Sequence, residues 1–269
     1  MGTLPFGFVR IATWNVNSLK ARLPRVEEWL TYAAPDVLCL QETKLADDAF
    51  PVMPFQSLGY EVAFSGEGRW NGVAIASRVG LENVVAGFSP LPEEGPTEAR
   101  LISADCGGVR VASLYVPNGR EVASEHYQLK LAWLARVRRW LEACHQPSEK
   151  VMLCGDFNIA PDDRDVYDPK RFVGATHVSP PEREALAAIL DWGLTDGFRL
   201  LYDQPRLYSW WDYRAGDFHQ GRGMRIDLLL LTEALGKSVT WGLVDRNARK
   251  GKLPSDHAPV FLDVDVAAG

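Results

Sequence analysis

The sequence predicts an α/β sandwich, in which two similar halves pack together with acidic side chains at one edge. The first half is indicated by an amphipathic stretch that leads into the apolar run V-L-C-L-Q and ends in Glu42. The second is indicated by a longer amphipathic stretch, then the apolar run V-M-L-C-G and Asp156. A further apolar run, R-I-D-L-L-L-L, carries Asp227 near its start. Acids that follow buried strands in this way are expected to gather where the strands end.

Each element follows from its hydrophobic period and its capping residues. Short apolar or β-rich runs predict buried strands at 9–14, 37–41, 73–77, 110–116, 151–154, 226–231 and 258–266. Between the first two strands, helical spacing is found for Leu23, Val26, Leu30 and Ala33. A longer helix is predicted over 124–143, with Ser124 as its N-cap. A third begins at Ser179-Pro-Pro-Glu182, a capping box with proline at the first helical position.

The composition is that of an ordinary soluble globular protein, with 46% hydrophobic and 24% charged residues among 269. No linker or low-complexity tract divides the sequence, so one catalytic domain over residues 1–269 is expected. No apolar stretch approaches the roughly 20 residues of a membrane span, and the N-terminus lacks the features of a targeting signal. Four cysteines without a C-x-x-C pair favour reduced thiols in the cytoplasm: Cys39, Cys106, Cys144 and Cys154.

The net charge is −6 and the isoelectric point is about 5.5, which argues against a protein that coats nucleic acid by charge alone. An enzyme that binds a short stretch of DNA through local basic loops is not excluded. Residues 246–252 form one basic stretch, with Arg246, Arg249, Lys250 and Lys252 and no acid. A solvated surface turn explains this stretch as well as a phosphate contact does, so both interpretations stay open.

Three short motifs place polar side chains at the ends of apolar runs. Taken singly, each has a structural explanation: Q-E-T-K as a solvated strand end, G-D-F-N-I-A-P as an Asx turn, and S-D-H-A-P as a surface Asp-His pair. In G-D-F-N, an extended chain would turn Asp156 and Asn158 to the same side. That arrangement favours a role in holding a water and a phosphate oxygen together.

With Asp227 and Asn15, which lie beside similar apolar runs, the motifs contribute four carboxylates, a histidine and two amides: Glu42, Asp156, Asp227, Asp256, His257, Asn15 and Asn158. Four carboxylates cannot share a pocket without a cation or raised pKa values. Carboxylate and amide oxygens suit Mg²⁺ or Mn²⁺ better than zinc. Because a divalent cation beside a phosphate is the usual requirement for phosphodiester hydrolysis, the set predicts that chemistry.

Nine motifs, which together cover roughly residues 9 to 266, resemble the exonuclease III / AP endonuclease branch of the endonuclease–exonuclease–phosphatase superfamily. They are W-N-V-N-S (14–18), Q-E-T-K (41–44), N-G-V-A-I (71–75), L-Y-V-P-N-G (114–119), G-D-F-N-I-A-P (155–161), W-G-L-T-D (192–196), Y-S-W-W-D-Y-R (208–214), R-G-M-R-I-D (222–227) and P-S-D-H-A-P (254–259). The resemblance implies a four-layer αββα sandwich, made of two packed mixed β-sheets flanked by helices, with the active site between the sheets. It also implies that the protein is a metal-dependent hydrolase that acts on DNA in base excision repair. Such an enzyme cuts the DNA backbone 5′ to abasic sites, or acts at 3′ ends as a 3′-phosphodiesterase and 3′→5′ exonuclease.

The resemblance assigns roles to the acids and their neighbours. Glu42 is expected to be the principal ligand of a Mg²⁺ or Mn²⁺ ion, with Asp256 as a second ligand and Asn15 also in the metal site. Asp156 is expected to orient or deprotonate the attacking water. His257, paired with Asp227, is expected to hydrogen-bond the scissile phosphate. The phosphate is expected to be positioned, and its developing charge stabilised, by Asn15, Tyr115 and Asn158.

The resemblance also predicts how DNA is held. A pocket for a flipped-out abasic sugar is expected from Trp210, Met224 and Ile226, whereas Trp211 is assigned to the core. Loop contacts with the DNA backbone are expected from Trp70, Asn71, Asn118 and Arg120. The predicted partner is double-stranded DNA, especially abasic or 3′-blocked DNA, bound by a monomer. Asn17 stands where some relatives have Asp, which leaves one or two metal ions open, and Met224 replaces a large aromatic, which favours a more permissive pocket.

There are two alternative functions. A phosphodiesterase or phosphatase of the same superfamily could act on a non-DNA substrate, such as inositol phosphates, sphingomyelin or RNA tails. The motifs Y-S-W-W-D-Y-R and W-G-L-T-D favour the DNA branch over this alternative. A non-catalytic binding module on the same fold would be expected to lose Glu42, Asp156 or His257, all of which this chain keeps.

Overall fold

In a computed structural model, which describes residues 7–95 and 97–267, the chain folds into two six-stranded sheets flanked by helices. The strands are β1 (Phe8–Asn15), β2 (Val37–Gln41), β3 (Glu61–Ser65), β4 (Val73–Ser77), β5 (Glu82–Ala86), β6 (Leu101–Cys106), β7 (Val109–Tyr115), β8 (Val151–Asp156), β9 (Leu194–Asp196), β10 (Asp227–Thr232), β11 (Val239–Val244) and β12 (Val260–Asp265). The helices are α1 (Leu19–Ala33), α2 (Val52–Ser57), α3 (Glu125–Cys144), α4 (Pro180–Leu190), α5 (Gly197–Leu201), α6 (Asp217–Gln220) and α7 (Glu233–Gly236).

Both sheets are mixed and share one plan. The first has the strand order β11-β12-β1-β2-β4-β3, and the second has the order β5-β6-β7-β8-β10-β9. In each sheet one central pair is parallel, β1 with β2 and β7 with β8, and the other pairs are antiparallel. Because parallel neighbours need a crossover connection, a long helix joins each parallel pair, α1 in the first sheet and α3 in the second. The predicted pair of helix-then-strand halves is confirmed.

Alternation along the strands divides the apolar side chains between the two faces of each sheet. In β2, Cys39 belongs to the core between the sheets, whereas Leu38 and Leu40 pack beneath α1. In β8, Cys154 belongs to the core between the sheets, whereas Leu153 packs beneath α3 and α4. The central strands therefore bury both faces, and the layers follow the predicted αββα order.

Every predicted element is present, with small shifts at the ends. The helix predicted over 124–143 is α3, where the Ser124 hydroxyl accepts the backbone N–H of Tyr127 at 3.2 Å. Ser179 and Glu182 form the predicted capping box of α4. The unpredicted strands are β3, β5, β6, β9 and β11, and four of these are the edge strands of the two sheets. Edge strands lack the continuous apolar run that marks a strand buried on both faces.

Three of the four cysteines, Cys39, Cys106 and Cys154, are buried, and all four are free thiols. Burial raises the pKa of the Cys106 thiol to about 12, and burial also raises the pKa of Cys39. Cys39 and Cys106 are therefore protonated thiols in the core at neutral pH. Among the described helices, none combines the length and apolar character needed to span a membrane.

Candidate active site

The carboxyl ends of the two parallel strand pairs meet at one edge of the sandwich. In the first sheet, β1 ends at Asn15, and β2 runs directly into Glu42. In the second sheet, β7 ends at Tyr115 and β8 at Asp156, which pair with each other across the strands. Parallel strands end at the same edge of a sheet, so side chains as far apart in sequence as Asn15 and Asp156 come into hydrogen-bond contact there.

Asn15 joins the two sheets at this edge. Its side-chain Nδ2 donates to Glu42 Oε1 at 2.8 Å and to Asp156 Oδ2 at 2.9 Å. Its Oδ1 accepts the backbone N–H of Asn17 at 3.0 Å. In this orientation Asn15 offers a donor to both acids, and its predicted place among the metal ligands would require the amide oxygen to turn toward them. The ligand role of Asn15 stays a prediction.

Asp156, Asp227 and His257 form a buried charged group. His257 Nδ1 lies 2.9 Å from Asp227 Oδ2, and His257 Nε2 lies 3.7 Å from Asp156 Oδ2. Burial alone would lower the pKa of His257, but attraction to Asp227 and Asp156 raises it to about 10. The imidazole is therefore a cation at neutral pH, and both of its ring nitrogens are donors.

The Asp156 carboxyl is tuned by the same neighbours. Burial raises its pKa to about 7, although the charge of His257 and hydrogen bonds from Asn15 and Asn158 act against that rise. Repulsion from Asp227 adds to the effect of burial. A carboxyl with a pKa near 7 can accept a proton from a neighbouring water at neutral pH.

Glu42, Asp156 and His257 can offer ligand atoms that lie within 4.8 Å of one another. The Glu42 carboxylate is also 2.9 Å from the ammonium of Lys44, measured from Oε2 to Nζ. A raised pKa on Asp156 marks a pocket in which added positive charge is favourable. Carboxylate oxygens are the preferred ligands of hard divalent cations, so Glu42 and Asp156 fit a divalent metal ion, whereas the protonated His257 offers donors and no lone pair.

Asp256, the predicted second metal ligand, is not in this group. Its Oδ2 accepts Trp210 Nε1 at 3.1 Å, and its Oδ1 accepts Asn17 Nδ2 at 3.0 Å. Asp256 Oδ1 also accepts Ser255 Oγ at 3.5 Å, so Oδ2 is the oxygen that keeps a further lone pair for a cation. Asp256 therefore links Trp210 to Asn17, and its ligand role stays a prediction.

Asn158 approaches Asp156 through a turn and not along an extended chain. Its backbone is left-handed, with φ of 51°, and its N–H donates to Asp156 Oδ1 at 2.9 Å. This is the Asx turn that the sequence left as an alternative. The expectation of an extended chain is wrong, but the turn still brings the two side chains together. Asn158 Nδ2 donates to Val116 O at 3.0 Å, and Asn118 Nδ2 donates to Asn158 Oδ1 at 3.1 Å.

Tyr115 lies between the acids and Arg100. Burial and the carboxylates of Glu42 and Asp156 raise the pKa of Tyr115 well above its usual value. The Arg100 guanidinium carbon is 4.7 Å from the centre of the Tyr115 ring. The Tyr115 hydroxyl is therefore protonated at neutral pH and available as a donor.

The three predicted sugar-pocket residues lie in one apolar cluster. Met224 and Ile226 are buried there with Ala160 and Val166, and Trp210 packs against them. Trp210 and Met224 exchange backbone hydrogen bonds of 2.9 and 3.0 Å. Trp210 is half-buried, whereas Met224 is 1% and Ile226 2% exposed. Of these three side chains, only Trp210 is therefore accessible from the surface. Trp211 belongs to the core between the sheets, as predicted.

The loop residues predicted to contact DNA differ in exposure. Trp70 is 62% exposed, and the Arg69 guanidinium carbon is 5.2 Å from a ring centroid of Trp70. Asn118 and Arg120 are also exposed. These side chains form an open polar and aromatic surface, and their contacts with DNA stay a prediction.

Two other residues considered for DNA contact serve mainly to hold loops in place. Asn71 is buried, and its Nδ2 donates to the carboxylate of Glu98 at 3.3 Å. Its predicted DNA contact would have to come from the backbone. Arg249 is also buried, and its guanidinium donates to the backbone carbonyl of Ser255. The basic stretch is thus partly an anchor for the segment that carries Asp256.

Three basic side chains near the site were not singled out from the sequence: Lys44, Lys130 and His177. Lys130 Nζ donates to the backbone carbonyl of Asn158 at 2.7 Å, and His177 Nδ1 lies 2.6 Å from the same carbonyl. A signal for Lys130 was present, because it is a charged residue on the apolar face of the predicted helix. Lys44 and His177 follow no period that would have distinguished them from surface residues.

Comparisons with known proteins agree with this geometry. A family model described as the endonuclease/exonuclease/phosphatase family matches residues 12–257. Exodeoxyribonuclease III from Haemophilus influenzae is 32% identical over 267 residues, which cover 95% of this chain and 99% of that protein. An AP endonuclease structure from Archaeoglobus fulgidus is 39% identical, with a TM-score of 0.92 over 96% of this chain and 100% of that one. A 3′ phosphatase from Neisseria, bound to a product DNA hairpin, is 39% identical with a TM-score of 0.90, covering 96% of this chain and 99% of that one. The chain therefore belongs to the endonuclease/exonuclease/phosphatase family, in its exonuclease III / AP endonuclease branch.

Proposed function

We propose that this protein is a DNA repair phosphodiesterase that hydrolyses the DNA backbone 5′ to abasic sites, at 3′ ends, or both. The observation that carries the proposal is the buried group of Asp156, His257 and Asp227 beside Glu42. It combines a carboxylate that can accept a proton, a cation that can donate to a phosphate, and ligand atoms for a divalent metal ion. Metal-assisted phosphodiester hydrolysis can use all three functions within one pocket.

The proposed division of labour follows from charge and hydrogen-bond geometry. Asp156 accepts a proton from the attacking water, since burial brings its pKa to about 7. His257, held as a cation by Asp227, donates from Nε2 to a phosphate oxygen. Additional donors stabilise the charge that develops on the phosphate: Asn15, Tyr115 and Asn158, the last through its Nδ2.

A divalent cation, Mg²⁺ or Mn²⁺, would neutralise phosphate charge when it is bound. We propose Glu42 as its principal ligand and Asp256 as a second ligand, with Asn15 beside them. The proximity of the Glu42 and Asp156 carboxylates supports Glu42 as a ligand, while Asp256 lies outside that group. Lys44, which contacts Glu42, supplies part of the same positive charge from the protein itself.

The proposed substrate is double-stranded DNA, especially abasic or 3′-blocked DNA. The relatives named above include an AP endonuclease, a 3′ phosphatase and an exodeoxyribonuclease, which supports a substrate of this class. A flipped-out sugar would contact Trp210 first and reach Met224 and Ile226 only if the cluster opens. Backbone contacts would come from the exposed side chains of Trp70, Asn118 and Arg120. A single catalytic domain, a monomeric state and a cytoplasmic location stay predictions from the sequence.

Three duplexes test the proposal: one with an abasic site, one with a 3′-phosphate and one with a plain recessed 3′ end. Cleavage of at least one is expected with Mg²⁺ or Mn²⁺ and is expected to vanish in EDTA. Glu42→Gln removes a ligand charge while keeping shape, so it should raise the Mg²⁺ concentration required, by about tenfold or more. Undiminished cleavage by Glu42→Gln at low Mg²⁺ would contradict the metal assignment. Glu61→Gln, the same change at an exposed site, is the matched control.

A second arm of the test separates chemistry from binding. Asp156→Asn should abolish turnover and leave abasic-DNA affinity close to normal, because it disables the water and not the phosphate contacts. Asp191→Asn, at the exposed end of α4, is the matched control. The alternative, a non-DNA phosphodiesterase of the same superfamily, would be supported by faster hydrolysis of inositol phosphates or sphingomyelin than of any duplex.

A further inference from the structure

A fully buried ion pair, Lys130 with Glu182, lies directly beneath two loops of the site. Lys130 comes from α3 and Glu182 from the first turn of α4, and each side chain is 0% exposed. The Lys130 ammonium donates to Glu182 Oε1. Charged side chains are rarely buried to this degree unless their hydrogen-bonding groups find partners.

The remaining donors of Lys130 bind the backbone of the two loops. Lys130 Nζ donates to the carbonyl of Asn158 at 2.7 Å and to the carbonyl of Asn118 at 3.3 Å. With Glu182, these acceptors use all three donors of the ammonium. The side chains of the same two residues are joined by the bond from Asn118 Nδ2 to Asn158 Oδ1 at 3.1 Å. Lys130 therefore holds the backbone at both ends of this amide pair, and Asn158 Nδ2 in turn donates to Asp156 Oδ2 at 3.3 Å.

Glu182 in turn keeps the next loop in place. Its Oε1 accepts Thr176 Oγ1 at 2.8 Å and the backbone N–H of His177 at 2.9 Å. The imidazole of His177 lies against the carbonyl of Asn158, at 2.6 Å from Nδ1. The carboxylate thus orients the Lys130 ammonium and fixes a second contact to the same carbonyl.

Stability alone does not account for this arrangement. A buried ion pair loses so much hydration that neutral replacements of similar volume are often as stable or more stable. What the ammonium supplies is a third donor, because a neutral amide group has only two. Three donors on one atom reach Glu182 and the backbone carbonyls of both Asn118 and Asn158.

We propose that Lys130 is a positioning residue, which holds the side-chain amides of Asn118 and Asn158 at the phosphate site, with Glu182 keeping its ammonium aimed. The inference rests on the proposed function only in that these amides contact a phosphate. It predicts that removing the charge slows the chemical step more than it weakens substrate binding.

The test compares Lys130→Met with the double variant Lys130→Met/Glu182→Gln. The single variant leaves the Glu182 carboxylate buried without its partner and is expected to be less stable. The double variant removes both charges and should melt close to the wild-type temperature. Because a displacement of about 1 Å can cost on the order of 100-fold in rate, kcat on the abasic duplex should fall by about 10- to 100-fold in both variants. KM should change by less than about threefold. Lys237→Met, at a side chain that is 76% exposed, is the matched control.

A purely structural role predicts the opposite pattern, in which the double variant recovers wild-type kcat along with its stability, and that result would overturn the proposal. A spectroscopic readout does not depend on activity. The side-chain amide signals of Asn118 and Asn158 in ¹⁵N-labelled protein should shift or broaden in the folded double variant and stay unchanged in Lys237→Met. Unchanged signals in the double variant would overturn the positioning role even if wild-type protein cut no DNA. Wild-type inactivity on all duplexes would instead count against the proposed function alone.

Discussion

His257 and Asp227 form a buried pair in which Nδ1 lies 2.9 Å from Oδ2, although the residues are 30 positions apart. The pair fixes the direction of the imidazole, because the bond to Asp227 leaves Nε2 facing Asp156 at 3.7 Å. It also fixes the charge of the imidazole, whose pKa is raised to about 10 against the effect of burial. His257 is therefore built as a donor toward the acids of the site.

Asp227→Asn is expected to move the alkaline limit of activity. In the proposed mechanism His257 donates to the phosphate only while protonated, so activity should be present below its pKa and lost as the pH rises through it. Without the Asp227 charge, burial lowers the pKa of His257, and the loss should begin at lower pH. The measurement is kcat against pH over the alkaline range in which Mg²⁺ stays dissolved. An alkaline limb that does not move would contradict the proposed role, with Asp191→Asn as the control.

Metal binding is expected to release protons near neutral pH. Burial raises the pKa of Asp156 to about 7, so about half of the molecules carry the proton at that pH. A divalent cation favours the charged carboxylate and lowers this pKa, so roughly half a proton should leave for each ion bound at pH 7. Calorimetric titration with Mn²⁺ in two buffers of different ionisation enthalpy measures the release. Identical heats in the two buffers would count against the coupling, and Asp156→Asn should abolish the difference.

DNA affinity is expected to depend weakly on salt. Since the net charge is −6 and Arg249 is buried, only a few exposed cations can contact phosphates. The slope of log K against log salt should then be roughly −2 to −5, at about −0.9 per phosphate contact. Fluorescence anisotropy across a salt series measures the slope. Lys250→Ala should reduce its magnitude by about one if the basic stretch touches DNA.

Trp210 is expected to supply the preference for abasic over intact DNA. The half-buried indole is the accessible member of the apolar cluster with Met224 and Ile226, and an unpaired sugar is easier to extrude than a paired nucleotide. Trp210→Ala should therefore erase the preference without changing the salt slope, as read by anisotropy on both duplexes. Trp241→Ala, which removes an exposed indole from β11, serves as the control. Equal affinity of the wild-type protein for both duplexes would remove the argument for a sugar pocket.

Asp165 is expected to stabilise the strand that carries Asp227. Burial would raise the pKa of Asp165, but its ion pairs with Arg225 and Arg199 outweigh burial and lower it. Because the folded pKa is depressed, this stabilisation is present above the unfolded pKa of about 3.9 and lost as the pH falls through the folded value. Asp165→Asn should lower the free energy of unfolding at pH 7 by about 3 kcal/mol, since it removes the ion-pair partner of Arg199 and one of the two partners of Arg225, which keeps Asp196. Urea unfolding at pH 7 and pH 3 checks it, and an equal loss at both would contradict the ionic origin.

The central strands and their covering helices could be predicted from the sequence because their signals are local. Continuous apolar runs before Glu42 and Asp156 mark strands buried on both faces, and the caps at Ser124 and Ser179 mark helix starts. The edge strands β3, β5, β9 and β11 were missed because most of their side chains are not buried and carry no such run. Their pairing depends on a neighbouring strand and not on their own residues.

The sequence by itself determined which acids stand at strand ends, and hence that a pocket of carboxylates forms between the sheets. Only the tertiary structure decided which partner each side chain of that pocket binds. Asp256 and His257 are adjacent in sequence, yet one bonds Trp210 and the other bonds Asp227. Likewise, Lys130 on the apolar face of α3 pairs with Glu182, which lies 52 positions further along the chain. Such pairings are absent from any local period, because a hydrogen bond between distant segments exists only after the sheets and helices have packed.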